Sequence, residues 1–224
     1  MMLTRNDRTV EDADEIVDSL IDWGVTHIGF KDIGVPAAVM QSLVEKIRFA
    51  GGISYLEVVS TTPEAVATSL AVGRNLGVDR ILGGTSVKAA KEILDDLGGY
   101  YPFPGVPIGH PTKLGGSPVL IADHCRAARA AGCAGVDLLA YRATEADPLD
   151  LVRAARGALN GGRLIIAGGV KSRDQVHALA SAGADAFTIG SAAFDGSFSP
   201  SKGALRSQIR DILEACKTAP KRIG

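Results

Sequence analysis

The feature that most constrains this chain is a recurring stop signal. Glycines at Gly24, Gly51, Gly77, Gly98, Gly132, Gly161 and Gly183 close amphipathic stretches at intervals of 21 to 34 residues, and a short apolar run follows most of them. A glycine placed after an amphipathic stretch marks a helix that ends in a left-handed residue. A brief apolar run bounded by such signals reads as a strand. The runs are THIGF, SYLEVVS, DRILGG, GVDLLAY, RLIIAGG and DAFTIGS. The opening MMLT and a short strand within YYPFPGVPIGHP, which four prolines confine to a long loop, bring the count to eight. The intervening stretches carry the helical period, with Val10, Ala13, Ile16, Val17, Leu20 and Ile21 at one end of the chain and Leu205, Ile209, Ile212, Leu213 and Cys216 at the other. Thr62-Pro63 and Ser172 stand where helix caps belong.

Eight strand-helix units in 224 residues predict an α/β fold, a (β/α)8 barrel of near-minimal size forming one domain over residues 1–224. The competing architecture, a doubly wound open sheet, calls for a glycine-rich phosphate loop after the first strand, where this chain reads TRNDRTVEDADE.

Composition narrows the partners. The chain has 24 basic and 25 acidic residues, a net charge of -1 and no long run of either sign. General affinity for nucleic acid or an anionic membrane has no electrostatic basis, and a small molecule is the expected partner, with self-association left open. Cys125, Cys133 and Cys216 form no C-x-x-C pair, which argues against a disulfide framework and against structural zinc. The charged opening does not suit a signal peptide and no apolar run nears the ~18 residues of a membrane span, so a cytoplasmic protein is expected.

The stretch IIAGGVKSRDQVHALASAGADAFTIGSAAF places Gly168-Gly169 and Gly190-Ser191 at the ends of the seventh and eighth strands. Those loops are neighbours in a barrel, and bare backbone amides there make a phosphate site, because a Cβ would stand between the amide and the anion. On this reading Gly169→Val and Gly190→Val weaken substrate binding and leave the fold intact. The motif IAGGV...AGADAFTIGSAAF resembles the last two units of the ribulose-phosphate-binding barrels, the superfamily of ribulose-phosphate 3-epimerase, keto-gulonate-phosphate decarboxylase and the histidine and tryptophan pathway isomerases. The resemblance implies that Gly168, Gly169, Gly190 and Ser191 hold a substrate phosphate.

Side-chain alternation selects the catalytic candidates. In THIGFKDIG the apolar Ile28 and Phe30 face the helices, leaving Gly29 and Lys31 toward the barrel axis. In SYLEVVS, Leu56 and Val58 face outward and Glu57 inward. Two inward charges near the mouth are expected to pair, either as a structural ion pair or as a general acid and base. Asp32 ends the same strand with outward parity, open to a role in the mouth or in the loop. Asp7, in TRNDRT, stands at the catalytic end of the barrel or is a turn residue before the first helix. His110 and Lys113 occupy the long fifth loop, and Tyr141 and Arg142 end the sixth strand, where Arg142 is suited to grip an anionic group. His124 and His177 fall within helices.

No metal ligands are expected. The epimerase branch carries alternating histidine and aspartate ligands on its second strand, whereas here His27 lies at the far end of HIGFKDIG. The histidine-pathway isomerases use aspartates after strands 1 and 5, and of these only Asp7 fits. Three functions follow. The first is a cofactor-free isomerase, epimerase or related lyase of a phosphorylated ketose, with Glu57 or Asp7 as base and Lys31 stabilising an enediolate. The second is an aldolase in which Lys31 forms a Schiff base, a reading supported by the likeness of GFKDIG to the lysine strand of the dihydrodipicolinate synthase and neuraminate lyase family. The third is a barrel that binds a phosphorylated metabolite without turning it over.

Overall fold

The first segment is held on both sides. The Met2 amide donates to Ile189 O at 2.7 Å, and the Leu3 amide donates to Gly29 O at 2.7 Å. This computed structural model describes residues 1–109 and 111–221. From that first segment a ring can be followed. Strand β3 (His27–Lys31) pairs in parallel with β4 (Ile53–Val58), β4 with β5 (Arg80–Gly83) and β5 with β6 (Tyr100–Tyr101). Strand β9 (Gly135–Leu138) pairs with β10 (Arg163–Ile166), and β10 with β11 (Ala186–Phe187). The Asp137 amide donates to Pro102 O at 3.1 Å and joins the two halves. With Met2 bonded to Ile189 at the other seam, the eight parallel segments close into a barrel, as the repeat of glycine and apolar run predicts.

The alternation works as read. Ile28, Phe30, Leu56 and Val58 belong to the large core between strands and helices, together with Val17 and Leu20 of α1 (Ala13–Asp22) and Leu43 and Ile47 of α2 (Ala37–Phe49). Inside the ring, Tyr55, Leu82, Tyr101 and Ile165 form a separate small cluster that fills the barrel. Helix α3 (Pro63–Leu76) is capped by the Thr62 hydroxyl and α7 (Arg173–Ala182) by the Ser172 hydroxyl, and both end in left-handed glycines, Gly77 and Gly183.

Three departures from the expected pattern bear on the site. Gly98 does not cap a helix. Helix α4 (Val87–Ile93) stops earlier, at an extended Leu94, and Gly98 is absent from the left-handed glycines. The fifth loop is more ordered than a loop, because β7 (Val106–Ile108) and β8 (Lys113–Gly115) form an antiparallel hairpin over the barrel mouth. A second hairpin, β1 (Thr4–Arg5) with β2 (Arg8–Thr9), follows the first segment. Its two turn residues, Asn6 and Asp7, have φ of 52° and 57°. Asn and Asp tolerate this left-handed region better than other non-glycine residues, and a two-residue hairpin turn of this hand requires it at both positions.

Candidate active site

The Asn6-Asp7 turn swings the Asp7 carboxylate over the end of β3. Lys31 Nζ lies 2.9 Å from Asp7 Oδ1 and 3.3 Å from Glu57 Oε1, and the three side chains are 6%, 9% and 10% exposed for Lys31, Asp7 and Glu57. The Lys31–Glu57 pair predicted from alternation is therefore present. Arg142 closes the group from the sixth strand end. It lies in the short 3-10 turn Ala140–Arg142, and its Nη2 and Nη1 donate to Asp7 Oδ1 and Oδ2 at 3.0 and 3.1 Å. That two-pronged geometry fixes both side chains. Arg142 also donates to Thr112 O at 3.2 Å, which ties the β7–β8 hairpin to the cluster.

A third carboxylate was not among the predicted residues. Asp137 is fully buried, and neither of its carboxyl oxygens has a hydrogen-bond partner among the described residues. The alternation that selects Glu57 selects it too: in GVDLLAY, Val136 and Leu138 belong to the outer core, so Asp137 faces inward.

The electrostatics separate Asp7 from Asp137. Burial raises the Asp7 pKa, but the hydrogen bond from Arg142 and the Lys31 charge outweigh it and hold Asp7 well below the usual carboxylate range. Asp137 moves the other way, because burial and the nearby Glu57 charge push it well above. Burial favours the neutral amine of Lys31, yet Glu57 and Asp7 more than offset this, so its pKa is raised and it stays an ammonium. Two cations, Lys31 and Arg142, thus stand against Asp7, Lys31 also reaches Glu57, and the surroundings of Asp137 favour its protonated form.

This sorting has a consequence for stability. A carboxyl whose folded pKa is raised contributes its full stability below its unfolded pKa and loses it as pH rises through the folded value. Asp137→Asn cannot ionise, so its unfolding midpoint relative to wild type is expected to rise between pH 4 and pH 8. Urea unfolding at the two pH values checks this. A difference that is flat with pH would mean that Asp137 is ionised in the native protein.

The other predicted residues fall in different places. Asp32 accepts a hydrogen bond from the Ser69 hydroxyl on α3 and so faces the helix layer, as its parity indicates, away from the Lys31 cluster. Lys113 is exposed on the β7–β8 hairpin. His110 lies outside the described residues. His124 accepts from the Gly105 amide at 3.0 Å and His177 meets Thr218 at 3.2 Å, both packing roles. A cavity of about 200 Å³ opens beside the mouth, lined by Ser60, Thr61, Thr85, Phe103, Pro107 and Thr112. Among the described residues no group of three or more His, Cys, Asp or Glu side chains is placed to hold a metal ion, and no helix is long and apolar enough to cross a membrane.

At the ends of the seventh and eighth strands, the amides of Gly168, Gly169, Gly190 and Ser191 donate to no protein carbonyl among the described residues. Gly169 and Ser191 are exposed. The bareness of these glycines also serves the protein itself. A Cβ on Gly190 would stand 2.6 Å from Thr4 Oγ1 and 2.7 Å from Thr4 O, and one on Gly169, at φ +80°, would stand 2.8 Å from Tyr141 Cβ. The expectation that valine at either position spares the fold is therefore corrected: both sites are already occupied by neighbouring chain. Gly168 backs onto Arg142 in the same way, which puts the candidate phosphate loops directly beside the charged cluster.

Comparison with known proteins agrees with this architecture. Residues 107–201 match the family model described as histidine biosynthesis protein, a little under half of the chain. No curated protein matches. Among solved structures, orotidine 5'-phosphate decarboxylase from Pyrococcus horikoshii OT3 superposes with a TM-score of 0.65 at 15% identity, over 93% of this chain and 95% of that one. A mandelate oxidase variant with (S)-mandelic acid superposes with a TM-score of 0.57 at 15% identity, over 89% of this chain and 64% of its own length. At such identities the likeness establishes the barrel fold. The family model and the decarboxylase both fall within the barrel class that the IAGGV...TIGSAAF motif resembles.

Proposed function

We propose that this barrel is an enzyme acting on a phosphorylated sugar or ketose by proton transfer next to a carbonyl, as an isomerase, epimerase or related lyase, without a metal. The observation that carries the reading is the buried Lys31 ammonium held between Asp7 and Glu57 beside the unpartnered Asp137 carboxyl. Such an ammonium lies ready for an enediolate oxygen in a site where water does not screen it. In an isomerisation, Glu57 takes the proton from the carbon beside the carbonyl and returns it to the neighbouring carbon. Asp137 gives its proton to the carbonyl oxygen and takes one back from the hydroxyl on the neighbouring carbon, which becomes the new carbonyl, so no proton is gained or lost. Asp7 is a poor base, since two cations stabilise its charge. It positions Lys31 and Arg142 instead. The free amides at Gly168, Gly169, Gly190 and Ser191, with Arg142 close by, suit a phosphate, and the cavity lined by Ser60, Thr61, Thr85 and Thr112 suits hydroxyls.

The test is exchange with solvent. Incubated in D2O with a panel of phosphorylated ketoses and aldoses, the protein is expected to place deuterium on the carbon beside the carbonyl of at least one, read by mass spectrometry. Asp137→Asn should slow that exchange by about 10²–10⁴-fold, the usual range for a general acid or base. If no member of the panel exchanges, or if Glu57→Gln exchanges at the wild-type rate, the reading fails.

A further inference from the structure

A second cavity lies at the opposite end of the barrel from the Lys31 cluster. It has a volume of about 340 Å³, within the range of small-molecule sites, and the proposed chemistry does not use it. It reaches from His27, Tyr55 and Arg163 at the barrel floor to Val176, Leu179 and Ile212 on α7 and α9 (Leu205–Thr218). His27 begins β3 and Lys31 ends it, so floor and mouth are roughly 13 Å apart at ~3.3 Å per residue.

The alternation that points Lys31 and Glu57 inward at the upper ends of their strands points His27, Arg80 and Arg163 inward at the lower ends. Three basic side chains thus converge on two phenols. His27 Nδ1 is 2.8 Å from Tyr55 Oη, Arg80 Nη1 donates to Tyr101 Oη at 3.0 Å, and the Arg80 guanidinium lies 5.8 Å from the Tyr101 ring centre. The Nε atoms of both Arg80 and Arg163 are buried without a hydrogen-bond partner among the described residues. The carboxylate that lines the same cavity, Asp185, is engaged by Arg156 Nη1 at 2.7 Å and by the Leu164 amide at 2.7 Å. A buried N–H without an acceptor is costly, and the Arg163 guanidinium lining the cavity beside His27 makes an acceptor of negative charge the fitting occupant. The far wall is aliphatic and gives no partner to a second charge.

We propose that the barrel floor is a second ligand site, which takes a small carboxylate with an apolar tail: the carboxylate on Arg163, the tail along Val176, Leu179 and Ile212. The site is separate from the mouth, so occupancy reports on the floor alone. The His27 pKa agrees with the geometry. Burial and the charges of Arg163, the Met1 ammonium and Arg80 lower it, and an anion beside Arg163 would oppose those charges and raise it.

Sodium hexanoate is the probe, with sodium acetate and inorganic phosphate as controls. Calorimetric titration of the full chain should give saturable hexanoate binding at least tenfold tighter than acetate, and an NMR titration should show the His27 pKa rising when hexanoate is bound. Arg163→Gln should weaken hexanoate at least tenfold, whereas Arg142→Gln, at the mouth, should leave it unchanged. Should Arg163→Gln not fold, Ala186→Leu keeps the charges, fills the cavity and should abolish hexanoate binding. Hexanoate binding that survives Arg163→Gln or Ala186→Leu, that is lost in Arg142→Gln, or that inorganic phosphate matches with the same Arg163 dependence, overturns the proposal.

Discussion

Gly190→Val is expected to lose its fold before it loses a ligand. The new Cβ would meet Thr4 O at 2.7 Å and Met2 O at 3.3 Å. Both are backbone atoms of the first barrel segment, which cannot move aside without breaking the Met2–Ile189 hydrogen bond that closes the ring. Overpacking of this kind costs about 1–3 kcal/mol when side chains can yield. Here the opposing atoms are backbone, so a loss above about 4 kcal/mol is expected, with little folded protein recovered. Urea unfolding and circular dichroism check this. A folded Gly190→Val with wild-type stability would mean that the first segment is not seated against the eighth as described. The phosphate question then needs a substitution that spares the backbone. Ser191→Asp provides one: its side chain is exposed at the start of α8 (Ser191–Phe194), where a carboxylate is tolerated, and it puts negative charge where the phosphate is proposed. The melting midpoint should be unchanged and the affinity for inorganic phosphate at least tenfold weaker. Undiminished binding would place the phosphate elsewhere.

That outcome for Gly190 also shows what a sequence can and cannot disclose. The repeat of glycine and apolar run carried the fold because each signal is local: a left-handed glycine ends a helix whatever lies around it. Alternation carried Lys31 and Glu57 for the same reason, since period two is a property of the strand itself. It carries Asp137, Arg80 and Arg163 equally well, and applying it to GVDLLAY and to the first residues of DRILGG and RLIIAGG is all that finding them required. Asp7 is different. Whether it points at the mouth depends on Asn6 and Asp7 both adopting the left-handed region, a choice made by a hairpin that packs against β3, and TRNDRT alone reads equally well as a plain turn. The glycines of the candidate phosphate loops carry the same ambiguity. Their need for bare backbone was legible, but the reason includes Thr4, Tyr141 and Arg142, residues distant in sequence that only the closed ring brings within reach.

Lys31 is where the two enzyme chemistries part. An imine requires a neutral amine, and the surroundings of Lys31 oppose one: burial favours the neutral form, but Glu57 and Asp7 prevail and raise the pKa. A base whose folded pKa is raised contributes stability that is fully present below its unfolded pKa and lost as pH rises through the folded one, so at neutral pH the contribution of this ammonium is complete. Removing it should be severe. Lys31→Met leaves Asp7 and Glu57 buried with one cation fewer, and breaking a buried pair from one side costs about 3–5 kcal/mol. Lys31→Arg restores the charge and separates the mechanisms, because a guanidinium cannot form the adduct. If Lys31 acts through its charge, Lys31→Arg keeps part of the deuterium exchange, with the remainder lost to an ångström or so of misplacement, and borohydride added with the exchanging substrate traps nothing. If Lys31 forms an imine, Lys31→Arg is inactive and borohydride adds the mass of the substrate to the peptide that carries Lys31. The expected result is the first, since the two carboxylates that hold Lys31 in place are the same two that keep it protonated. A trapped adduct on that peptide would reverse the assignment.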